Sequence, residues 1–452
     1  MHIIDMPQGA RAIVQGLQDA NYEAYVVGGC VRDGLLGLAP ADWDICTSAT
    51  PEEMKEHFAR RNIPTIDTGI KHGTITVDMG FSGMFEVTTF RIDGDYSDNR
   101  HPDSVRFTRS IHQDLSRRDF TVNAMAFNQA GLVDPFHGKE DLRNKVISCV
   151  GNPDERFSED ALRILRALRF ASTYQFRIDG RTAESIHKNK HKLKHIAAER
   201  ICSELCKMLQ GKGILDVLLA FGDVFAFIMP ELAPCVGFAQ NNRFHQYTVY
   251  EHIAHAVASY HGGDTAVNMA LLLHDIGKPL CYTEDENGGH FYGYAVLSRD
   301  IAEGVLNRLR LDNKTKNEVL ELILYHDSVI DPTPKTVRRW LNRIGQRRMC
   351  QLIDVRLADV CAQAESTRES RLENCHALGR AMALVLEQRQ CFARKDLEIK
   401  GGDLLSLGMP QSPRIGEILN ILLEKVIAGE IPNKREVLMQ EAVRLASESC
   451  LH

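Results

Sequence analysis

The hydrophobic pattern of this chain changes period once, and that change limits the folds open to it. Up to about Asp134-Pro135 the apolar residues gather in short runs rich in Val, Ile, Thr and Phe, the mark of strands. The runs at 24–27, 44–47, 73–78 and 85–90 are predicted as strands, and 11–20 as a short amphipathic helix. Thr50-Pro51-Glu52-Glu53 predicts a helix start, with proline at the first helical position. From Ser158 onward the apolar residues recur almost only at helical spacing. Ser158-Glu159-Asp160 is expected to open a helix with an acidic first turn, followed by Leu162, Leu165, Ala167, Leu168 and Phe170 on its apolar face. Breakers near 211–213, 230–234, 262–263, 287–289, 332–334 and 401–402 divide the remainder. The fold class is therefore α+β: a head with a small mixed sheet, then a long helical body without internal repeats.

The head carries Gly28-Gly29-Cys30-Val31-Arg32-Asp33-Gly34-Leu35-Leu36-Gly37, followed by Asp42-Trp43-Asp44. A strand ending in two glycines lets backbone N–H groups come close to a phosphate chain. The helix start that follows favours an anion, and Arg32 adds a fixed positive charge. Asp42 and Asp44 stand two apart at a strand start, so both carboxylates point to one side. Such a pair suits two Mg²⁺ ions held through few carboxylates and the substrate's own phosphates. This constellation strongly resembles the bacterial class II family of CCA-adding enzymes and poly(A) polymerases, within the polymerase-β-like nucleotidyltransferase superfamily. The resemblance implies Asp42 and Asp44 as catalytic metal ligands. It also implies a third carboxylate on a neighbouring strand, for which Glu86 is a candidate. A solvent-facing strand residue is the alternative reading of Glu86.

Further motifs extend the likeness. Arg117, Arg118, Asp119 and Asn123, in Asp114-Leu115-Ser116-Arg117-Arg118-Asp119-Phe120-Thr121-Val122-Asn123, offer bidentate contacts to a triphosphate and hydrogen bonds to ribose. They match the family's Arg-Arg-Asp motif. Asp160 and Arg163, in Glu159-Asp160-Ala161-Leu162-Arg163, are three apart and expected on one helix face. An Asp acceptor beside an Arg donor forms a Watson–Crick-like edge. The resemblance implies that these two residues select CTP or ATP. Arg166 joins the nucleotide-binding set. Glu199-Arg200 and Glu204 are similar to the motif that buttresses this helix. The polar segment 90–102 is similar to the loop that complete CCA-adding enzymes use to switch from CTP to ATP. Arg166, Arg169, Arg177, Arg181, Lys188, Lys190, Lys192, Lys194 and Arg200, with His187, His191 and His195, predict a basic neck for an RNA backbone.

The second half holds His252, His274-Asp275 and Asp359, with Leu271-Leu272-Leu273-His274-Asp275-Ile276-Gly277-Lys278 at its centre. This pattern resembles the HD phosphohydrolases, whose histidines and carboxylates hold a divalent metal. His290 and His326-Asp327 are candidate extensions. Tyr294 stands where relatives often carry another histidine, which leaves a degenerate, structural domain as the alternative. Segments around 396–404, 416–420 and 433–436 are similar to the family's tail helices. The expected organisation is a catalytic head over 1–147, a neck for base selection and RNA binding over 148–230, a body with the HD-like region over 231–375 and a tRNA-binding tail over 376–452.

Composition is consistent with this reading. The 452 residues carry a net charge of −6, so any RNA contact rests on local patches rather than on global basicity. The 12 cysteines form no framework, and Cys202 and Cys206 are expected to be buried thiols in a reducing cytosol. No run approaches the length of a membrane span. The sequence thus predicts a cytoplasmic, Mg²⁺-dependent enzyme acting on tRNA, CTP and ATP, with a second divalent metal in the HD-like region and no membrane partner. A poly(A) polymerase, or a metal phosphohydrolase, is the alternative. The absence of a basic tail at the end of this sequence favours tRNA over poly(A).

Overall fold

The structure, a computed structural model, describes residues 4–94, 104–286 and 288–448. It divides into two compact units, Met1–Ala233 with Arg308–Arg310, and Pro234–Asn307 with Leu311–His452.

The first unit begins with α1 (Gln8–Asp19), which buries Ile13, Val14 and Leu17. Its mixed sheet is built from β1 (Ala24–Val27), β2 (Ile45–Thr47), β3 (Thr65–Gly69), β4 (Thr74–Asp78) and β5 (Met84–Thr89). The strands β6 (Arg91–Asp93) and β7 (Val105–Phe107) form a separate ribbon, and β8 (Ala126–Asn128) and β9 (Gly131–Val133) complete the sheet. The order is β3-β4-β5-β2-β1-β8-β9. Within it β2 and β5 run parallel, with Ile45 opposite Val87 and Cys46 opposite Thr88. Between these strands lie α2 (Gly29–Leu35), α3 (Pro51–Ala59) and α4 (Ile111–Ser116), and α5 (Gly138–Asn144) follows β9. The helix α3 starts where the sequence predicted. Thr50 Oγ1 accepts from the Glu53 N–H and Glu53 Oε2 accepts from the Thr50 N–H, a reciprocal cap with Pro51 next to it.

The neck of this unit holds β10 (Val146–Ile147), α6 (Pro153–Glu159), α7 (Leu162–Tyr174), β11 (Arg177–Ile178), α8 (Gly180–Asn189), α9 (Ala198–Met208), α10 (Ile214–Ala220) and α11 (Gly222–Ile228). One expectation needs correcting here. Ser158 and Glu159 close α6 rather than opening a helix, and Asp160 is extended, at φ −141° and ψ 105°. The helix α7 starts at Leu162 and has no acidic first turn. Asp160 and Arg163 therefore do not share a helix face. Asp160 Oδ1 accepts from the Leu162 N–H and so caps the break.

The second unit comprises α12 (Val249–Ala258), α13 (Thr265–Leu273), β12 (Tyr282–Asp285), β13 (Gly288–Phe291), α14 (Tyr294–Arg308), α15 (Asn313–Tyr325), α16 (Pro334–Cys361), α17 (Glu365–Glu387), α18 (Gly401–Ser406), α19 (Pro413–Ala428) and α20 (Arg435–Glu448). The β12–β13 hairpin interrupts the purely helical pattern expected beyond Ser158. Its strands are four residues each and carry no apolar alternation, so only their turn glycines marked them. The helix α16 bends at Gly345, whose φ is +77°. The tail has its own core, in which Leu397, Ile399, Leu404, Leu422, Val426 and Leu438 pack together.

Candidate active site

Strand register brings the head's acidic residues to one end of the sheet. The backbone of Asp44 is already in the ladder, since its carbonyl accepts from the Val27 N–H at 2.9 Å. Continuing the β2–β5 register back by one residue sets Asp44 beside Glu86. Glu86 lies on the exposed face of β5, between buried Phe85 and Val87. Asp44 keeps an open face to solvent, yet its carboxyl is raised above the usual range. Enclosure by the surrounding protein is the first cause, Arg118 opposes it, and the Glu86 and Asp42 carboxylates add to it. A carboxylate raised in part by two like charges gains from a nearby hard divalent cation.

The glycine turn fits close packing around an arginine. Gly28 has φ +79° and ψ −126°, and a Cβ there would stand 2.9 Å from Arg118 NH1. Gly28→Ala is therefore expected to strain the backbone by roughly 1–3 kcal/mol. It should also push the Arg118 guanidinium out of place, with a lower melting midpoint and a loss of nucleotide addition in a gel-extension assay.

Asp114 and Asp119 fix the motif that follows. Asp114 is buried at 1% exposure and accepts from Arg117 Nε at 3.0 Å. Arg118 NH2 lies 3.6 Å from its other oxygen. Burial alone would raise the Asp114 carboxyl, but Arg117 and Arg118 outweigh it and hold the group low. Asp119, also buried, accepts two N–H groups of Arg166 on one oxygen at 2.8 and 2.6 Å and the Asn123 amide at 3.2 Å on the other. Burial is opposed by Arg166, Arg163 and Asn123, and the Asp119 carboxyl falls to about 2.

Arg32 is not at the surface. Its guanidinium donates to Asp33 and, at 2.6 Å, to Asn123 Oδ1, and lies 5.1 Å from the Phe170 ring centre and 4.8 Å from that of Tyr174. One chain of polar contacts therefore runs from Arg32 through Asn123 and Asp119 to Arg166 on α7. None of these long-range pairs is visible in local spacing.

Arg163 donates to Glu159 and to the carbonyls of Arg156 and Arg117. Asp160 Oδ2 accepts from Arg200 at 2.9 Å, and Glu204 accepts from Arg169 at 2.5 Å. Both partners sit on α9, which thus braces the Asp160 break and α7. The basic neck is less basic than its composition suggests. Lys188 pairs with Asp154, and Lys190 and His187 pair with Asp223. Arg177, Arg181, Lys194 and His195 remain on exposed positions. The expected loop over 90–102 begins as strand, since Arg91–Asp93 pairs with Val105–Phe107. The rest of it, 95–102, lies outside the described residues.

A second cluster lies in the other unit. His252 comes from α12, His274 and Asp275 follow α13, and Asp359 sits near the end of α16. His252 Nε2 lies 3.3 Å from Asp275 and 2.9 Å from Asp359, and His274 Nε2 lies 3.3 Å from Asp275. His252 Nδ1 and His274 Nδ1 face the carbonyls of Ala362 and Leu271 at 3.3 and 2.8 Å, which turns both Nε2 atoms inward. The ligand atoms of His252, His274 and Asp275 all lie within 4.8 Å of one another. His326 joins from the end of α15, where Tyr294 OH meets its Nε2 at 3.0 Å. His290 does not join: it pairs with Asp285 on the hairpin at 3.0 Å. Asp327, beside His326, has a half-exposed side chain. Cys202 is buried, but Cys206 is only half-buried, and their sulfurs stand 3.9 Å apart, unbridged.

A mixed sheet whose end sets Asp44 beside Glu86, next to a glycine turn and an Arg-Arg-Asp segment, defines a nucleotidyltransferase head. Residues 24–148 match the family described as poly A polymerase head domain. Residues 175–235 match a probable RNA- and SrmB-binding site of polymerase A, and 294–442 a tRNA nucleotidyltransferase domain 2. The CCA-adding enzyme of Ligilactobacillus salivarius is 34% identical over 99% of this chain and 98% of its own length. That of Geobacillus kaustophilus is 33% identical over 98% of each. The crystal structure of the Bacillus stearothermophilus CCA-adding enzyme in complex with CTP superposes with a TM-score of 0.69, at 29% identity over 98% of both chains. The Thermotoga maritima CCA-adding enzyme complexed with tRNA shares the fold, with a TM-score of 0.60 at 22% identity over 96% of this chain and 94% of that one. This chain belongs to the CCA-adding enzyme family. Among the described residues no helix is long and apolar enough to cross a membrane.

Proposed function

We propose that this chain adds CCA to the 3′ end of tRNA from CTP and ATP, releasing pyrophosphate. The observation that carries the reading is the Asp42, Asp44 and Glu86 group at the end of the parallel β2–β5 pair, in a chain related to CCA-adding enzymes along its whole length. Asp42 and Asp44, supported by Glu86, would hold Mg²⁺, which when bound neutralises the triphosphate and lowers the pKa of the attacking 3′-hydroxyl. The residues themselves bind and orient. Arg117 and Arg118, anchored on buried Asp114, present guanidinium groups to the triphosphate. Gly28 and Gly29 let the phosphates approach the backbone.

Arg163 and Asp160 offer a donor and an acceptor edge to the incoming base. A base with the wrong edge would set donor against donor or acceptor against acceptor there, which costs more than a lost contact. Arg32, Asn123, Asp119 and Arg166 act on this site as a connected frame, with Arg166 open enough to reach nucleotide. Exposed Arg177, Arg181 and Lys194 fit an RNA backbone, and the four-part division into head, neck, body and tail assigns the tail to tRNA. The protein is proposed to act in the cytoplasm, where tRNA matures.

A second reading rests on the His252, His274, Asp275 and Asp359 cluster. Inward-facing imidazole nitrogens beside two carboxylates suit a borderline divalent ion such as Mn²⁺, Co²⁺, Ni²⁺ or Zn²⁺. A metal held there would activate water against a phosphate ester. This site is additional to nucleotide addition and does not replace it.

The test is extension of a tRNA that ends at the discriminator base, with Mg²⁺ and CTP alone, ATP alone, or both. Two additions with CTP and three with both are expected on a sequencing gel. A long ladder from ATP on unrelated RNA would instead mark a poly(A) polymerase.

A further inference from the structure

Lys278 is one turn beyond Asp275 and is 4% exposed. A buried ammonium is costly unless its surroundings are made for it. Here every close group accepts or is negative. Lys278 Nζ lies 2.7 Å from Asp275 Oδ2, 3.0 Å from Gln240 Oε1 and 3.5 Å from His245 Nε2. The Phe291 and Tyr294 ring centres stand 5.4 and 5.2 Å away.

The same Asp275 oxygen is the one that faces His252 and His274, each at 3.3 Å. The ammonium and a metal ion therefore draw on one atom. The other Asp275 oxygen points toward His326, 3.9 Å away, whose Nε2 is covered by Tyr294. Charge leads to the same place. An imidazole that ligates a metal is neutral, so in the ligating state two buried carboxylates and one ammonium leave one net negative charge. A single divalent ion then takes the cluster to one positive charge, and a second ion would add two more among buried side chains. Without the ammonium, one divalent ion would bring the group to neutrality.

We propose that Lys278 is the resident cation of this cluster, filling the place beside Asp275 that a second divalent ion would need, so that the cluster takes one such ion at most. The proposal rests on the second reading above. It predicts that removing the ammonium raises divalent affinity at least tenfold or adds a bound equivalent.

The experiment titrates Co²⁺ into the full chain in excess Mg²⁺, which occupies the carboxylate site of the head. Bound equivalents are counted by equilibrium dialysis, and visible absorption reports the ligand field. The His252→Ala/His274→Ala variant sets the background. Lys278→Met is compared with wild type, and Lys278→Arg, which keeps the charge, should behave as wild type does. Lys278→Gln serves if the methionine variant fails to fold, as judged by its thermal melt and by nucleotide addition in the head. Tighter or additional Co²⁺ in Lys278→Met supports the proposal, including the case in which wild type binds none. Two cluster-bound ions in wild type overturn it, as do equal or weaker binding in Lys278→Met. A wild type no different from the double-histidine variant sinks the metal reading of the native cluster. The lysine comparison then stands or falls by itself.

Discussion

Asp42→Ala and Asp44→Ala are each expected to lower the rate of nucleotide addition by roughly 10³-fold or more, since the loss falls on the charge-neutralising step itself. Binding of tRNA should change little, because the neck and tail proposed to hold it are not touched by these substitutions. Asp44→Asn separates charge from shape: it fills the same volume and should be nearly as inactive. Glu86→Gln is expected to cost less, about 10–100-fold, as for a group that supports metal ligands. It should also raise the Mg²⁺ concentration needed for half-maximal rate. Single-turnover extension across a Mg²⁺ series measures both effects. A wild-type rate for Asp42→Ala would remove the head from the chemistry. A Glu86→Gln enzyme with unchanged Mg²⁺ dependence would make Glu86 an ordinary strand residue.

The contrast between Asp44 and Asp119 explains why one carboxylate can serve chemistry and the other cannot. Asp44 is raised because its neighbours are mostly enclosing protein and like charges, with Arg118 alone in opposition. Such a group gains most from an added cation. Asp119 is already held by Arg166, Arg163 and Asn123 and is driven down to about 2. An extra cation would gain little there. The like charges around Asp44 and the cations around Asp119 thus suit the two aspartates to opposite tasks.

How much of this was readable from sequence depends on how local each cause is. The Thr50–Glu53 cap spans four residues, and both the start of α3 and its proline were legible. The strands β1, β4 and β5 showed themselves through β-branched runs. A serine and two acids before an apolar run carry the pattern of a helix start, yet Asp160 departs from the expected helix. What overrides it is tertiary: Arg200, 40 residues away, takes one Asp160 oxygen while the Leu162 N–H takes the other. The motifs named Asp119 and Asn123, but not the frame that joins them, since Arg32 and Asn123 are 91 residues apart. In the second unit the histidine motif named four residues that the structure sets in contact with one another. His290, a candidate extension of that motif, is instead turned by its short hairpin to Asp285. Lys278 was visible only as a letter in the motif. Its burial, and its contact with a carboxylate of the cluster, needed coordinates.

Asp119→Ala is the second substitution expected to act strongly, and through structure before chemistry. It removes a buried carboxylate that accepts two N–H groups from Arg166 and one from Asn123, leaving those donors without their partner. Breaking such a pair costs roughly 3–5 kcal/mol when the remaining charge stays buried. Arg166 keeps about a third of its side chain in contact with solvent, so the lower end of that range applies. The pH dependence has a definite sign. The folded carboxyl lies at about 2 against an ordinary 3.8, so its contribution is fully present above the ordinary value and is lost as pH falls through about 2. That difference corresponds to about 2 kcal/mol. Wild type should therefore lose stability toward Asp119→Ala as acid is added, the gap between their urea midpoints narrowing below pH 4 or so. Above pH 5 the gap should be flat. Because Asp119 also fixes the guanidinium of Arg166 on α7, the variant's nucleotide KM should rise at pH 7 even where it is folded. A gap that stays constant down to the acid limit would mean that Arg166 finds another partner, and that the frame joining head to neck does not depend on this carboxylate.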